Sequence, residues 1–307
     1  VMLNNTGMTN IRHYRGKATL ELKQDLSMLL KGLKIRAQGA YDTETNLKEI
    51  RSIRPEMYYA STRKYTGELG IVRRVDAEPA KYTHEDEQYY KIHFETTATY
   101  ETTVAKEHRL SALLYYYMSS EQRMNKDIDA KDETLRSMYA IPVRYQGLSG
   151  RVTYGFRDTY FMDLNFGYTG SENFQSGHRF GFFPSVAVGW IPTQYKFMQR
   201  GLPWLNFLKI RASYGTVGND RLTDERFPYL TLMVSGDGGG WGSTTGYITE
   251  ERVGANNLRW EKAKKADLGI EGRLFNEKLQ FVVDFFQDKR DGIYQRRSQI
   301  PSYVGLT

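Results

Sequence analysis

The sequence predicts an all-β protein, a transmembrane antiparallel up-and-down β-barrel of which these 307 residues form part. Three observations carry that expectation. Apolar and polar residues alternate with period two, the alternating runs are long, and the links between runs sort into short and long kinds.

The alternation is plain over Tyr160–Tyr168. Tyr160, Met162, Leu164, Phe166 and Tyr168 share one face, and Phe161, Asp163, Asn165 and Gly167 share the other. Tyr90, Ile92, Phe94, Thr96, Ala98, Tyr100, Thr102 and Val104 oppose Lys91, His93, Glu95, Thr97, Thr99, Glu101 and Thr103. Leu33, Ile35, Ala37, Gly39 and Tyr41 oppose Lys34, Arg36, Gln38, Ala40 and Asp42. Later, Ala266, Leu268 and Ile270 oppose Asp267, Gly269, Glu271 and Arg273. Successive strand side chains point to opposite faces, so each run has one apolar and one polar wall.

The runs reach the ~9–11 residues that a tilted strand needs to cross a bilayer. Globular strands average about five or six. Short links are expected at Leu30–Gly32, Ala105–Glu107, Arg157–Asp158 and Phe275–Asn276. Long polar links are expected at Thr43–Arg54, Ala77–Glu87, Ser119–Gly147, Ser171–Arg179 and Thr216–Arg259. Short turns on one side and long loops on the other mark a membrane barrel. About twelve strands follow, with ends placed to within ~2–4 residues. Pro55–Ala60 is the weakest of them, because Pro55 cannot donate to a ladder.

One short-side link, Ile191–Leu205, is longer. Trp190, Phe197, Trp204 and Phe207 gather around it and are read as membrane-interface aromatics. A capped corner of a soluble β-protein is the plainer reading of the same residues.

Composition agrees. Aromatics make up 14% of the chain, with 23 Tyr, which suits strands and wet interfaces. No Cys is present, so disulfide scaffolds, thiolate metal sites and Cys nucleophiles are excluded. The net charge of +7 is spread among 36 acids without a basic run, so no nucleic-acid partner is expected. No apolar stretch is long enough for a membrane helix, and Leu110–Met118 is broken by Ser111. The run Gly236–Gly240 reads as flexible loop, without the preceding strand that a phosphate-binding turn requires. No HExxH or GxSxG pattern accompanies the five His, so no enzyme, cofactor or metal site is expected. Val1 and Met2 follow no leader and the chain stops in mid-phrase at Thr307, so a longer protein is expected.

Several phrases then resemble the SusC/RagA family of TonB-linked outer-membrane proteins. They are Gly147–Tyr154 (GLSGRVTY), Asn165–Tyr168 with Ser171–Phe174 (SENF), and Arg179–Ser185 (RFGFFPS) closing at Gly189–Trp190. Leu208–Gly215 (LKIRASYG) with Gly218–Asp220 (GND), Leu258–Lys262 (LRWEK), Val283–Phe286, and Pro301 with Val304–Gly305 follow in order. The resemblance is good from about Gly147 onward and vaguer before it.

It implies part of one barrel domain over residues 1–307, within a barrel of roughly 22 strands with a plugged lumen. The plug and the final strands would lie outside this sequence. It further implies energy from a TonB complex through an absent N-terminal region, a SusD-like lipoprotein lid, and import of large nutrients. Glycans are the first expectation and peptides the second. In the loop Thr216–Arg259, Trp241 and Tyr247 could stack on sugar faces while Asp237 and Asn256 bond hydroxyls. Loop packing is the plainer role for these four. A siderophore or cobalamin receptor, and a soluble β-rich carbohydrate-binding protein, remain alternatives.

Overall fold

The computed structural model describes residues 7–63, 65–124, 141–223, 226–236, 247–255 and 257–295. Ten strands form one sheet in the order β1-β2-β5-β6-β7-β8-β9-β10-β13-β14. They are β1 (Gly7–Asp25), β2 (Leu33–Arg54), β5 (Glu78–Val104), β6 (His108–Met124), β7 (Val143–Phe156), β8 (Tyr160–Ser171), β9 (Phe180–Trp190), β10 (Leu205–Asn219), β13 (Glu261–Leu274) and β14 (Leu279–Asp291). Each sheet strand neighbours the next sheet strand along the chain, which is the up-and-down order. Two hairpins stand apart, β3 (Met57–Thr62) with β4 (Leu69–Val75) and β11 (Leu232–Gly236) with β12 (Tyr247–Arg252). A 3-10 turn (Pro192–Gln194) and a short α-helix, α1 (Lys196–Gly201), the one α-helix among the described residues, sit between β9 and β10. No helix among the described residues is long and apolar enough to cross a membrane, which says nothing of a β-barrel.

The expected twelve strands become ten in the sheet plus two hairpins. Pro55–Ala60 is part of the first hairpin, whose strand starts only at Met57. Two expected loops are strand instead: Thr43–Arg54 belongs to β2, and Ala77–Glu87 falls in β5 but for its first residue. Both stretches are polar on both faces, so alternation gives no signal there. Cross-strand pairs hold them: His13 to Asn46 at 2.7 Å, Arg15 to Glu44 at 3.0 Å, Lys48 to Glu85 at 2.9 Å and Arg54 to Glu78 at 2.8 Å. A strand does precede the glycine run, since β11 ends at Gly236, and the next element among the described residues is its antiparallel partner β12.

The chain divides into two compact units. The first holds residues 1–18, 41–91 and 121–142, with those charged cross-strand pairs and the β3–β4 hairpin. The second holds residues 19–40, 92–120 and 143–307. Connections on one side of the sheet are short: 26–32, 105–107, 157–159 and 275–278, with 191–204 the longer exception. Connections on the other side are long: 55–77, 125–142, 172–179 and 220–260. Ala105 and Lys106, and likewise Arg157 and Asp158, take positive φ in succession, the backbone of a tight hairpin turn whose twist matches its strands.

In the second unit the register is continuous across six strands. Tyr154, Met162, Val188, Ala212, Leu268 and Phe285 form one row. A parallel row reads Val152, Leu164, Val186, Tyr214, Ala266 and Gln287. The row between them lies on the other face and reads Thr153, Asp163, Ala187, Ser213, Asp267 and Phe286. Period-two alternation within strands and in-phase pairing between them therefore give one broad apolar face and one polar face. Among the described residues nothing covers the apolar face: Met162, Leu164, Val188, Leu268 and Phe285 are all exposed.

Candidate functional site

Three groups of side chains stand out in the second unit. Aromatic rings edge the apolar face, an ionic cluster sits on the polar face, and a buried knot ties the long loops down.

At the short-turn end, Phe156, Tyr160 and Trp190 follow one another in register and lead to Ile210. His108 lies 4.8 Å from Phe156, and Phe156 stacks 6.4 Å from Tyr160. The Tyr160 hydroxyl shares a hydrogen bond with that of Tyr195, whose ring stacks on Phe197 at 5.4 Å. Trp204 stacks on Phe275 at 6.1 Å. At the long-loop end Tyr168 stacks on Phe180 at 5.0 Å, and Phe166 lies 6.1 Å from Phe182. Tyr160 and Tyr168 bracket the apolar stretch of β8. At ~3.3 Å per residue they stand about 26 Å apart along the strand, or ~20 Å along the barrel axis at a tilt near 40°. That is close to the ~25 Å apolar band of an outer-membrane barrel flanked by aromatic girdles.

Of the four aromatics expected at the interface, Trp190, Phe197 and Trp204 are exposed and belong to the short-turn group. Phe207 differs. It is half-buried on the polar face, with the Arg273 guanidinium 5.3 Å from its ring centre. The connection that carries these rings is tied to the sheet by Ile191 N–H donating to the Thr159 carbonyl at 2.8 Å and Leu208 N–H donating to Thr193 Oγ1 at 3.2 Å.

On the polar face Arg211 of β10 donates to three carboxylates. Its Nη2 lies 2.6 Å from Asp284, its Nε 3.0 Å from Glu271 and its Nη1 3.3 Å from Asp267. Lys209 adds a second cation 3.8 Å from Glu271. Gly269 makes room for this. A Cβ there would stand 2.5 Å from Asp284 Oδ1 and 2.6 Å from Arg211 Nε. Arg151 pairs with Asp163 nearby, at 3.0 Å through Nε. Arg109, Asp163, Lys209 and Arg211 line a hollow of about 660 Å³. Its groups can bind and orient hydroxyls and charges. Among the described residues, no cluster of three or more side chains has the spacing of a metal site.

The loop knot is the best-buried part of the described chain. Phe174 is fully buried, with Trp260 5.1 Å away and Phe183 5.2 Å beyond it edge-on. Trp260 Nε1 donates to the Arg179 carbonyl at 3.1 Å, and Arg179 Nε donates to the Phe174 carbonyl at 3.3 Å. Ser171 Oγ donates to Asp220 at 2.7 Å, and Asn173 Nδ2 donates to the Asp220 carbonyl at 3.3 Å. The phrases SENF, RFGFFPS, GND and LRWEK, far apart in sequence, meet here. Sequence reading found the phrases but not their convergence.

Asp237, Trp241 and Asn256, expected to contact substrate, lie outside the described residues, and Tyr247 is described only as the first backbone position of β12.

With one face apolar and ringed by aromatics, the other ionic, and connections sorted by side, the chain has the makings of a membrane-barrel wall. Comparison with known proteins gives the class. The model of the family "TonB dependent receptor-like, beta-barrel" matches residues 3–307, and the chain belongs to that family.

Relatives narrow it. TonB-dependent receptor P3 of Formosa agariphila is 27% identical over 179 residues, covering 56% of this chain and 17% of that protein. TonB-dependent receptor SusC of Bacteroides thetaiotaomicron is 28% identical over 167 residues, covering 53% of this chain and 16% of that protein. The solved RagAB peptide transporter superposes with a TM-score of 0.66 at 19% identity, covering 98% of this chain and 32% of that one. The SusC/RagA kinship expected from the phrases is thus found. The stretches aligned with P3 and SusC amount to about a sixth of those relatives' length.

Proposed function

We propose that this chain is barrel wall and outer-loop scaffold of a TonB-dependent importer in the outer membrane of a Gram-negative bacterium. The imported nutrient is large, a glycan oligosaccharide in the first instance and a peptide in the second. A SusD-like lipoprotein closes over the long loops, and a TonB complex supplies energy through a region outside this sequence. The observation that carries the reading is the uncovered apolar face, bounded at both ends by aromatic rings, in a chain of this family.

In this role the polar face meets the lumen. Its pairs, such as Arg211 with Asp284, keep charge fixed and neutralised beside the path of an uncharged cargo. The knot around Phe174 and Trp260 holds the bases of loops 172–179 and 220–260, so that Asp237, Trp241, Tyr247 and Asn256 are offered to cargo from a fixed platform. Sugar faces stack on aromatic rings, and their hydroxyls bond to Asp and Asn side chains. The step is binding and translocation, with no covalent chemistry.

Growth and uptake decide the reading. A strain lacking the full-length gene is supplied with glycan and peptide panels, and the receptor is purified to identify the chains that accompany it. Loss of uptake of one cargo class, with a lipoprotein co-purifying, is expected. Unchanged uptake of every cargo contradicts import. Trp241→Ala and Tyr247→Ala variants that take up cargo normally would remove those side chains from the contact surface.

A further inference from the structure

The apolar face carries a hollow that a plain lipid-facing wall does not need. It measures about 460 Å³ and lies at the long-loop end of β5–β9. Ile92, Phe94, Met118, Gly170, Phe180 and Arg144 line it. Contacts fix the face. Tyr115 donates to Glu95, and a Cβ on Gly147 would meet the Tyr117 ring, so these odd-numbered positions share the polar side. Phe94, Met118 and Gln146 therefore point the other way, and Gln146, Gly170 and Phe180 form one row. Gly170 is the floor. A Cβ there would stand 2.6 Å from the Phe180 ring, so the ring lies across the glycine and forms one wall.

The rim is cationic. Arg144 is exposed, two positions beyond Gln146, and makes no hydrogen bond or ion pair with any described residue. Arg179 lies beside it, with Nε on the Phe174 carbonyl. Among the described residues of the rim Glu172 is the one carboxylate, so two arginines against one glutamate leave a net charge of one positive among them. An apolar cleft ending at an unpaired guanidinium suits an amphiphile. Chains fill the cleft, and the planar fork of Arg144 takes a phosphate in two hydrogen bonds.

The geometry points to a binding site for a phosphate-bearing, multi-chain lipid of the lipid A kind, in the leaflet on the long-loop side. This rests on the sheet being a membrane wall.

The full-length receptor in detergent micelles is titrated with lipid A, its dephosphorylated form, phosphatidylglycerol and phosphatidylcholine, and bound lipid is counted by native mass spectrometry. Lipid A is expected to bind most tightly. Arg144→Ala should weaken it roughly ten-fold, the share of one charge-assisted pair. Gly170→Leu should weaken it with Arg144 in place, and Arg12→Ala should not. Gel mobility before and after heating checks folding, and Arg144→Ala alone decides if Gly170→Leu does not fold. Equal binding of the dephosphorylated form, equal binding of phosphatidylglycerol, or no effect of Arg144→Ala overturns the site. Recovery of the receptor in the aqueous fraction without detergent would instead overturn the membrane reading.

Discussion

Single residues show how the two faces are made different. Arg211 faces three carboxylates, and its side chain is 36% exposed, so water screens part of the attraction. Arg211→Ala leaves Asp267, Glu271 and Asp284 close together, with Lys209, 3.8 Å from Glu271, the one cation left paired to them among the described residues. We expect a loss of about 1–2 kcal/mol, read from the urea midpoint of the lipid-embedded protein. Arg211→Lys should recover only part of it, because a point charge cannot serve three acceptors in a fixed fork. An unmoved midpoint in Arg211→Ala would mean the cluster holds nothing. Asp25, the last residue of β1 at the edge of the turn that follows, gives a pH test. The Ser27 hydroxyl, and then its N–H at 2.8 Å, hold this carboxyl below its ordinary value. A lowered folded value means the contact stabilises the turn above the unfolded value near pH ~4 and is lost as pH falls through the folded value. In Ser27→Ala the Asp25 titration, followed by carboxyl NMR, should move up toward the ordinary range. A titration that stays in place would show the contact to be idle.

At the scale of elements, the sequence spoke where one face is dry and was silent where both are wet. Tyr160–Tyr168 alternates because lipid-side and lumen-side environments differ, so its strand was legible residue by residue. Asn46, Lys48, Glu49 and Arg51 of β2 have no dry face, and neither do Glu85, Asp86 and Glu87 of β5. Those stretches look like loops, although the charged ladder makes them strand. Register lay beyond one sequence altogether. Arg211 stood out only as part of the phrase LKIRASYG, and its three partners come from β13 and β14 through pairings that no local pattern encodes. The loop knot was half legible, because its phrases stood out while their meeting depends on tertiary contact. Trp260→Ala should remove the packing on Phe174 and Phe183 and the bond to Arg179, at a cost of about 3–5 kcal/mol. Brief trypsin treatment should then nick loops 172–179 and 220–260 while the sheet stays intact. Resistance equal to that of the unsubstituted protein would contradict the anchoring role. In the wall itself, neighbouring positions should differ sharply. Leu164→Arg places a charge in the apolar face and should cost ~2–4 kcal/mol, whereas Asn165→Arg on the polar face should cost close to nothing. Equal costs would contradict the assignment of faces.

For the whole molecule the central claim is that one face of this sheet meets lipid and the other meets water, as the wall of a TonB-dependent receptor. Absence of Cys makes a direct test simple, because a single introduced thiol carries the only label in this chain. Each position from Tyr160 to Tyr168 is changed to Cys in turn in the full-length receptor, spin-labelled and reconstituted in bilayers. Collision with oxygen, which concentrates in lipid, is compared with collision with a water-soluble nickel chelate. Oxygen access should peak at positions 160, 162, 164, 166 and 168, and chelate access should peak at 161, 163, 165 and 167. Loss of the alternation, or chelate access at Met162 and Leu164 equal to that at Asp163, would contradict the account.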